Sequence, residues 1–114
     1  MDIMFLDRKL KKEHNDKQSL VRRHGEKRAK LIMRRLTQLH AASCLMVLAP
    51  PYSGPARCHE LKGNKRGIFS VDLDHPYRLL FRPYHDPVPQ QEEEGIDWGQ
   101  VTAIEILGVE DTHE

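Results

Sequence analysis

The 114-residue sequence predicts an α+β fold: one short strand, a group of helices, then a mostly antiparallel sheet with the helices on one face. Three observations predict it. In the first half apolar residues recur at three- and four-residue steps, the period of an amphipathic helix. Beyond Pro50-Pro51 the pattern turns to alternation, the period of a strand. The later apolar runs are separated by short turns, which suit antiparallel neighbours. The length allows one compact domain over residues 1–114.

Ile3-Met4-Phe5-Leu6 reads as the first strand. Asp7 then caps a helix over Arg8 to about His14, because its carboxylate accepts from the free amides of a first helical turn. A second helical stretch begins near Asp16 and runs to His24, and Gly25 ends it. Glu26 to Ala42 is a longer helix. Ala29, Ile32, Met33, Leu36 and Leu39 form its apolar stripe, and Lys27, Arg28, Lys30, Arg34 and Arg35 fill much of the remaining surface. Ser43 is placed to cap a last turn over Cys44 to Leu48 before the prolines stop any helix.

The second half reads as strands over Ala56 to Leu61, Ile68 to Leu73, Tyr77 to Phe81 and Val101 to Val109. Gly63 to Gly67 is turn chemistry, and Asp74-His75-Pro76 makes a bend. Pro83 to Gly99, with Glu92-Glu93-Glu94, reads as a polar, mobile loop.

The net charge of +1 hides a strong asymmetry. Residues 1–66 hold 16 of the 18 Lys/Arg and 6 of the 17 Asp/Glu, whereas residues 67–114 hold the other 2 and 11. A basic half suits phosphate contacts on a polyanion. Two opposite halves of one small domain also neutralise each other, and composition leaves both readings open. No apolar run approaches the roughly 20 residues of a membrane span, and Met1 to Leu10 has acidic Asp2 and Asp7 but no small-residue cleavage site. Cys44 and Cys58 lie in no metal-ligand spacing, so a reduced cytoplasmic setting without a metal or other cofactor is expected.

Three ionisable clusters fall where strands end or turn: Cys58 to Gly67, Pro76 to Leu79, and Glu110 to His113. An antiparallel sheet can gather His59, Lys62, Arg78, Asp111 and His113 into one cleft. That set suits cleavage of RNA by its own 2′-hydroxyl. Imidazoles titrate near working pH and serve the proton steps. Fixed cations stabilise the charge that develops on the phosphate, and Asp111 orients an imidazole. Arg78 interrupts an apolar strand, so it requires either a cleft or an ion pair with an acidic neighbour such as Asp72 or Glu105.

Taken together, Arg57-Cys58-His59-Glu60-Leu61-Lys62-Gly63-Asn64-Lys65-Arg66-Gly67, Phe69-Ser70-Val71-Asp72-Leu73, His75-Pro76-Tyr77-Arg78-Leu79 and the ending Thr102 to Leu107 with Asp111-Thr112-His113 resemble the RelE/ParE toxins. The likeness is to their HigB, or "killer protein", branch. It implies a RelE/ParE-like fold with an N-terminal strand, a helical hairpin and three to four further strands. It further implies a type II toxin–antitoxin toxin: a ribosome-dependent, metal-independent mRNA endonuclease acting in the A site. The implied partner is a helix-turn-helix, HigA-like antitoxin, through which alone operator DNA is reached. By resemblance the catalytic positions are His59, Lys62, Arg78, Asp111 and His113, with Lys65, Arg66 and Thr112 contacting RNA. Thr112 departs from the tyrosine common there, and threonine cannot stack on a base. The alternative on the same fold is a toxin without catalysis, acting on gyrase or merely binding its antitoxin.

Overall fold

The computed structural model describes residues 1–50 and 54–111. Strand β1 (Asp2–Phe5) leads into helices α1 (Arg8–His14), α2 (Lys17–His24) and α3 (Glu26–Ala41). Strands β2 (His59–Glu60), β3 (Phe69–Asp72), β4 (Tyr77–Pro83) and β5 (Ala103–Asp111) follow, and the sheet runs β1-β5-β4-β3-β2. The β1–β5 pair is parallel and the other three pairs are antiparallel. The expected α+β architecture is therefore present, with four strands beyond the first.

The helix boundaries follow from local chemistry. Asp7 accepts from the Leu10 amide at 2.7 Å and Asp16 from the Gln18 amide at 3.2 Å, satisfying donors that no helical carbonyl reaches. Gly25 at φ 84° joins α2 to α3 in a conformation that an L side chain resists. The last turn departs from expectation: a 3-10 turn spans Leu45–Leu48 with Cys44, not Ser43, at its cap and no side-chain hydrogen bond there. What holds that turn is the Leu45 amide donating to the Val101 carbonyl at 3.0 Å.

One apolar cluster joins the helices to one face of the sheet. Leu20, Ala29, Ile32 and Leu39 pack with Phe69, Val71, Leu79, Phe81, Ile104 and Ile106, all fully buried. Phe69 stacks on Phe81 and meets Trp98 edge-on at 4.9 Å. Trp98 lies in the segment read as a polar loop. That segment is anchored, since Ile96 is buried and bridges Gln90.

Two of the five basic residues expected to fill much of the remaining surface of α3 turn inward. Arg35 is buried; its Nε donates to the Asp72 carbonyl at 2.7 Å and its Nη1 to Gln38 at 3.1 Å. Burial opposes the charge and pulls the Arg35 pKa down, and neighbouring Arg34 adds to this. Arg28 forks onto Asp74 at 2.9 and 3.1 Å and lies 3.5 Å over the Tyr77 ring. The hydrogen bonds hold the Arg28 pKa up and the Asp74 pKa down. Both arginines fasten the helices to the sheet.

Candidate functional site

Side chains alternate across a strand, so the residues between the core positions face away from the helices. Cross-strand pairing then assembles a polar row on that outer face. His59 pairs with Ser70, Ser70 with Leu80, Asp72 with Arg78, and Arg78 with Glu110. Leu80 is buried yet stands apart from the main core cluster, consistent with this second face. Ion pairs knit the row together. Arg78 Nε lies 3.5 Å from Asp72 Oδ1, Arg57 Nη1 3.3 Å from Asp72 Oδ2, and Lys65 Nζ 3.2 Å from Glu110 Oε2. From β5 across β4 to β3 the charges alternate, Glu110, Arg78, Asp72, with Lys65 paired to the first and Arg57 to the last.

Expected strand Ala56 to Leu61 is shorter than the sequence suggests. Gly54–Ala56 is a 3-10 turn, and Arg57 adopts φ 47°, which breaks an extended chain. Only His59–Glu60 pairs with β3. The turn has a consequence at His59, whose Nδ1 lies 2.7 Å from the Arg57 carbonyl. A carbonyl only accepts, so Nδ1 carries the hydrogen and Nε2 of the neutral ring holds the basic lone pair. Between the two, Cys58 is buried, and burial pushes its thiol up to about 12, so it stays protonated and packs as a small apolar group.

The predicted site residues are partly gathered. His59 and Arg78 share the outer face, and Arg78 has the ion pair with Asp72 that the sequence offered as an alternative to a cleft. Its side chain keeps 29% exposure, so the pairing leaves it reachable. Lys65 joins the row through Glu110, Lys62 is exposed at the start of the 3-10 turn Gly63–Lys65, and Arg66 is drawn aside to Glu94 at 3.2 Å. Asp111 is the last residue of β5. It pairs with Tyr77, whose ring faces Arg28 of α3, so alternation sets Asp111 on the helix side and Glu110 beside Arg78. The carboxylate between Arg57 and Arg78 is Asp72. His113 and Thr112 lie outside the described residues. No group of three His, Cys, Asp or Glu is disposed to hold a metal among the described residues.

Sequence reasoning missed Arg57 as a site residue. Arg57 opens the stretch that carries the family resemblance and lies two residues before His59, but nothing in its residue type predicts a left-handed arginine.

No protein-family model matches the chain, and no curated protein matches it either. Solved structures do. The chain is similar to a chain of the YoeB–YefM complex from Staphylococcus aureus, with TM-score 0.53 and 17% identity over 100% of this chain and 98% of that one. It is also similar to the YoeB/ParE toxin from Agrobacterium tumefaciens, with TM-score 0.53 and 13% identity over 99% of this chain and 100% of that one. Helices on one face of a five-stranded sheet, with the polar row on the other, are thus built on the fold of the YoeB and ParE toxins.

Proposed function

We propose that this chain is the toxin of a type II toxin–antitoxin pair and cleaves mRNA on the translating ribosome, as a HigB-like member of the RelE/ParE toxins. The observation that carries the reading is His59. Its Nδ1 is fixed by the Arg57 carbonyl, and it shares a sheet face with Arg78 and Arg57. In the proposed step Nε2 takes the proton of an RNA 2′-hydroxyl. The 2′-oxygen attacks phosphorus to give a 2′,3′-cyclic phosphate, and the 5′-oxygen leaves with a proton from an acid. His113, two residues beyond the end of β5, is proposed as that acid. Arg78, with Lys62 and Lys65 near the phosphate, stabilises the developing charge, and Arg66 and Thr112 contact flanking RNA. Asp111 is proposed to orient an imidazole or hold its charged form. No metal enters this step.

The partner is proposed to be a helix-turn-helix, HigA-like antitoxin that brings the pair to operator DNA. The similar staphylococcal chain comes from a YoeB–YefM complex, which supports a protein partner. Among the described residues no helix is long and apolar enough to cross a membrane.

The test supplies purified protein to translating ribosomes and maps mRNA ends. Wild type cuts, and His59→Ala lowers the single-turnover rate by about 10²–10⁴, the share of one proton-transfer group. Intact mRNA with wild type, or equal cutting by a His59→Ala, His113→Ala double variant, overturns the reading. DNA breaks without mRNA fragments indicate the gyrase-directed alternative.

A further inference from the structure

We propose that Arg57 has two parts in this site: its backbone sets the tautomer of His59, and its guanidinium joins Arg78 to clamp a phosphodiester oxygen pair. The inference deepens the nuclease reading and rests on it for the identity of the phosphate as RNA. Three observations converge on Arg57. It is the one described non-glycine residue with positive φ, and strained backbone of this kind persists where surrounding structure holds it for a purpose. The same turn aims its carbonyl at His59 Nδ1. The side chain then folds back to Asp72, which has Arg78 on its other oxygen.

Asp72 is the positioning residue of the pair. Two guanidiniums repel, and a carboxylate between them holds them about its own breadth apart. The grip is loose. Asp72 Oδ1 is buried without a hydrogen bond among the described residues, and Arg78 approaches it only at 3.5 Å. Each guanidinium has five N–H donors, so both retain several for a second anion. The Arg57 side chain is 67% exposed, and a planar fork of donors matches the oxygens of a phosphate. Ser70 adds a buried hydroxyl without a partner among the described residues, on the same face between His59 and Leu80. An incoming phosphodiester on the two arginines would bring an adjacent 2′-hydroxyl toward His59 Nε2.

The two parts of Arg57 are separable. Arg57→Gly removes the guanidinium and tolerates the left-handed backbone, so the His59 tautomer is retained. Arg57→Val also removes the guanidinium, and its β-branched side chain resists that φ, so the carbonyl shifts. The experiment titrates full-length protein with inorganic phosphate and with a 2′-O-methylated trinucleotide, followed by nitrogen NMR of the histidine rings and arginine side chains. Both probes are expected to shift the Arg57 and Arg78 resonances. Arg57→Gly weakens trinucleotide binding about tenfold or more, the factor carried by one charged hydrogen bond. Arg57→Lys restores part of it as a point charge. Arg22→Ala, an exposed helical change, binds as wild type. The His59 ring is protonated on Nδ1 in wild type and Arg57→Gly, and loses that preference in Arg57→Val.

Trinucleotide affinity unchanged in Arg57→Gly, or equally reduced in Arg22→Ala, overturns the clamp. A His59 tautomer indifferent to Arg57→Val overturns the backbone part. A wild type that leaves mRNA whole while Arg57→Gly loses phosphate binding refutes the nuclease reading and upholds the clamp.

Discussion

Arg35→Ala is expected to destabilise the fold by about 2–4 kcal/mol, an effect the sequence would not suggest for a residue on a basic helix. Arg35 is 5% exposed, and its Nε donates to the Asp72 carbonyl at 2.7 Å, tying α3 to β3. A hydrogen bond from a charged donor contributes about 1.5–3 kcal/mol, and its loss leaves a carbonyl without that partner. Loss of the aliphatic stem adds about 1 kcal/mol of packing. Burying the guanidinium opposes these terms, which the lowered Arg35 pKa reflects. Arg35→Met isolates that opposition, because it retains the stem and removes the charge, and about 1–2 kcal/mol is expected. Equilibrium urea unfolding of wild type and both variants measures the differences. Arg35→Ala within about 0.5 kcal/mol of wild type, the range of ordinary surface substitutions, would refute a structural role for this arginine.

Stability should fall on acidification below about pH 6.5, the ordinary histidine value, because burial lowers the folded pKa of both His14 and His24. A lowered folded pKa means the unfolded chain binds the extra protons, so their contribution is complete above 6.5 and is lost toward the folded values. Glu13 and Arg23 face both rings, Arg28 also approaches His24, and His14→Leu should flatten the profile of unfolding free energy between pH 7.5 and 5. An unchanged profile in that variant assigns the pH response elsewhere. Arg28 and Asp74 should show a coupling of about 1 kcal/mol in a double-mutant cycle, since the fork is only half-buried. Coupling indistinguishable from zero at low salt would make the contact incidental.

Elements with a local cause were legible. Asp7, Asp16 and Gly25 fixed the ends of α1 and α2 because a cap or a left-handed glycine acts within a few residues. Alternation over Ile68 to Leu73 identified β3, and the run Tyr77 to Phe81 identified β4, which continues to Pro83. The register was not legible, and register decides the site. An irregularity between Leu80 and Phe81 skips Leu107, so the residues beyond it face opposite to the unbroken count. That extra residue separates Asp111 from Arg78 and delivers Glu110 in its place. Arg57 was invisible for a different reason: an arginine does not favour positive φ, and here it follows the 3-10 turn Gly54–Ala56, with its amide on the Gly54 carbonyl at 3.2 Å.

The surplus of positive charge in the first half overstates what the site can offer a polyanion. Arg28, Arg57, Lys65 and Arg66 are each engaged by a carboxylate from the second half: Asp74, Asp72, Glu110 and Glu94. Lys9, Lys12, Lys17 and Lys27 are exposed, but they belong to helices on the opposite side of the sheet from Asp72 and Arg78. A nucleotide held against Arg78 is separated from them by the sheet and a helical layer, about 10 Å or more. Screening over that distance leaves little attraction at physiological salt. Both readings of the charge asymmetry therefore hold, on different faces: neutralisation around the polar row, and a solvated basic surface on the helices. Strong binding through the row must come from directed hydrogen bonds of a few cations, which favours arginine forks over the lysine-rich helices as the phosphate contacts.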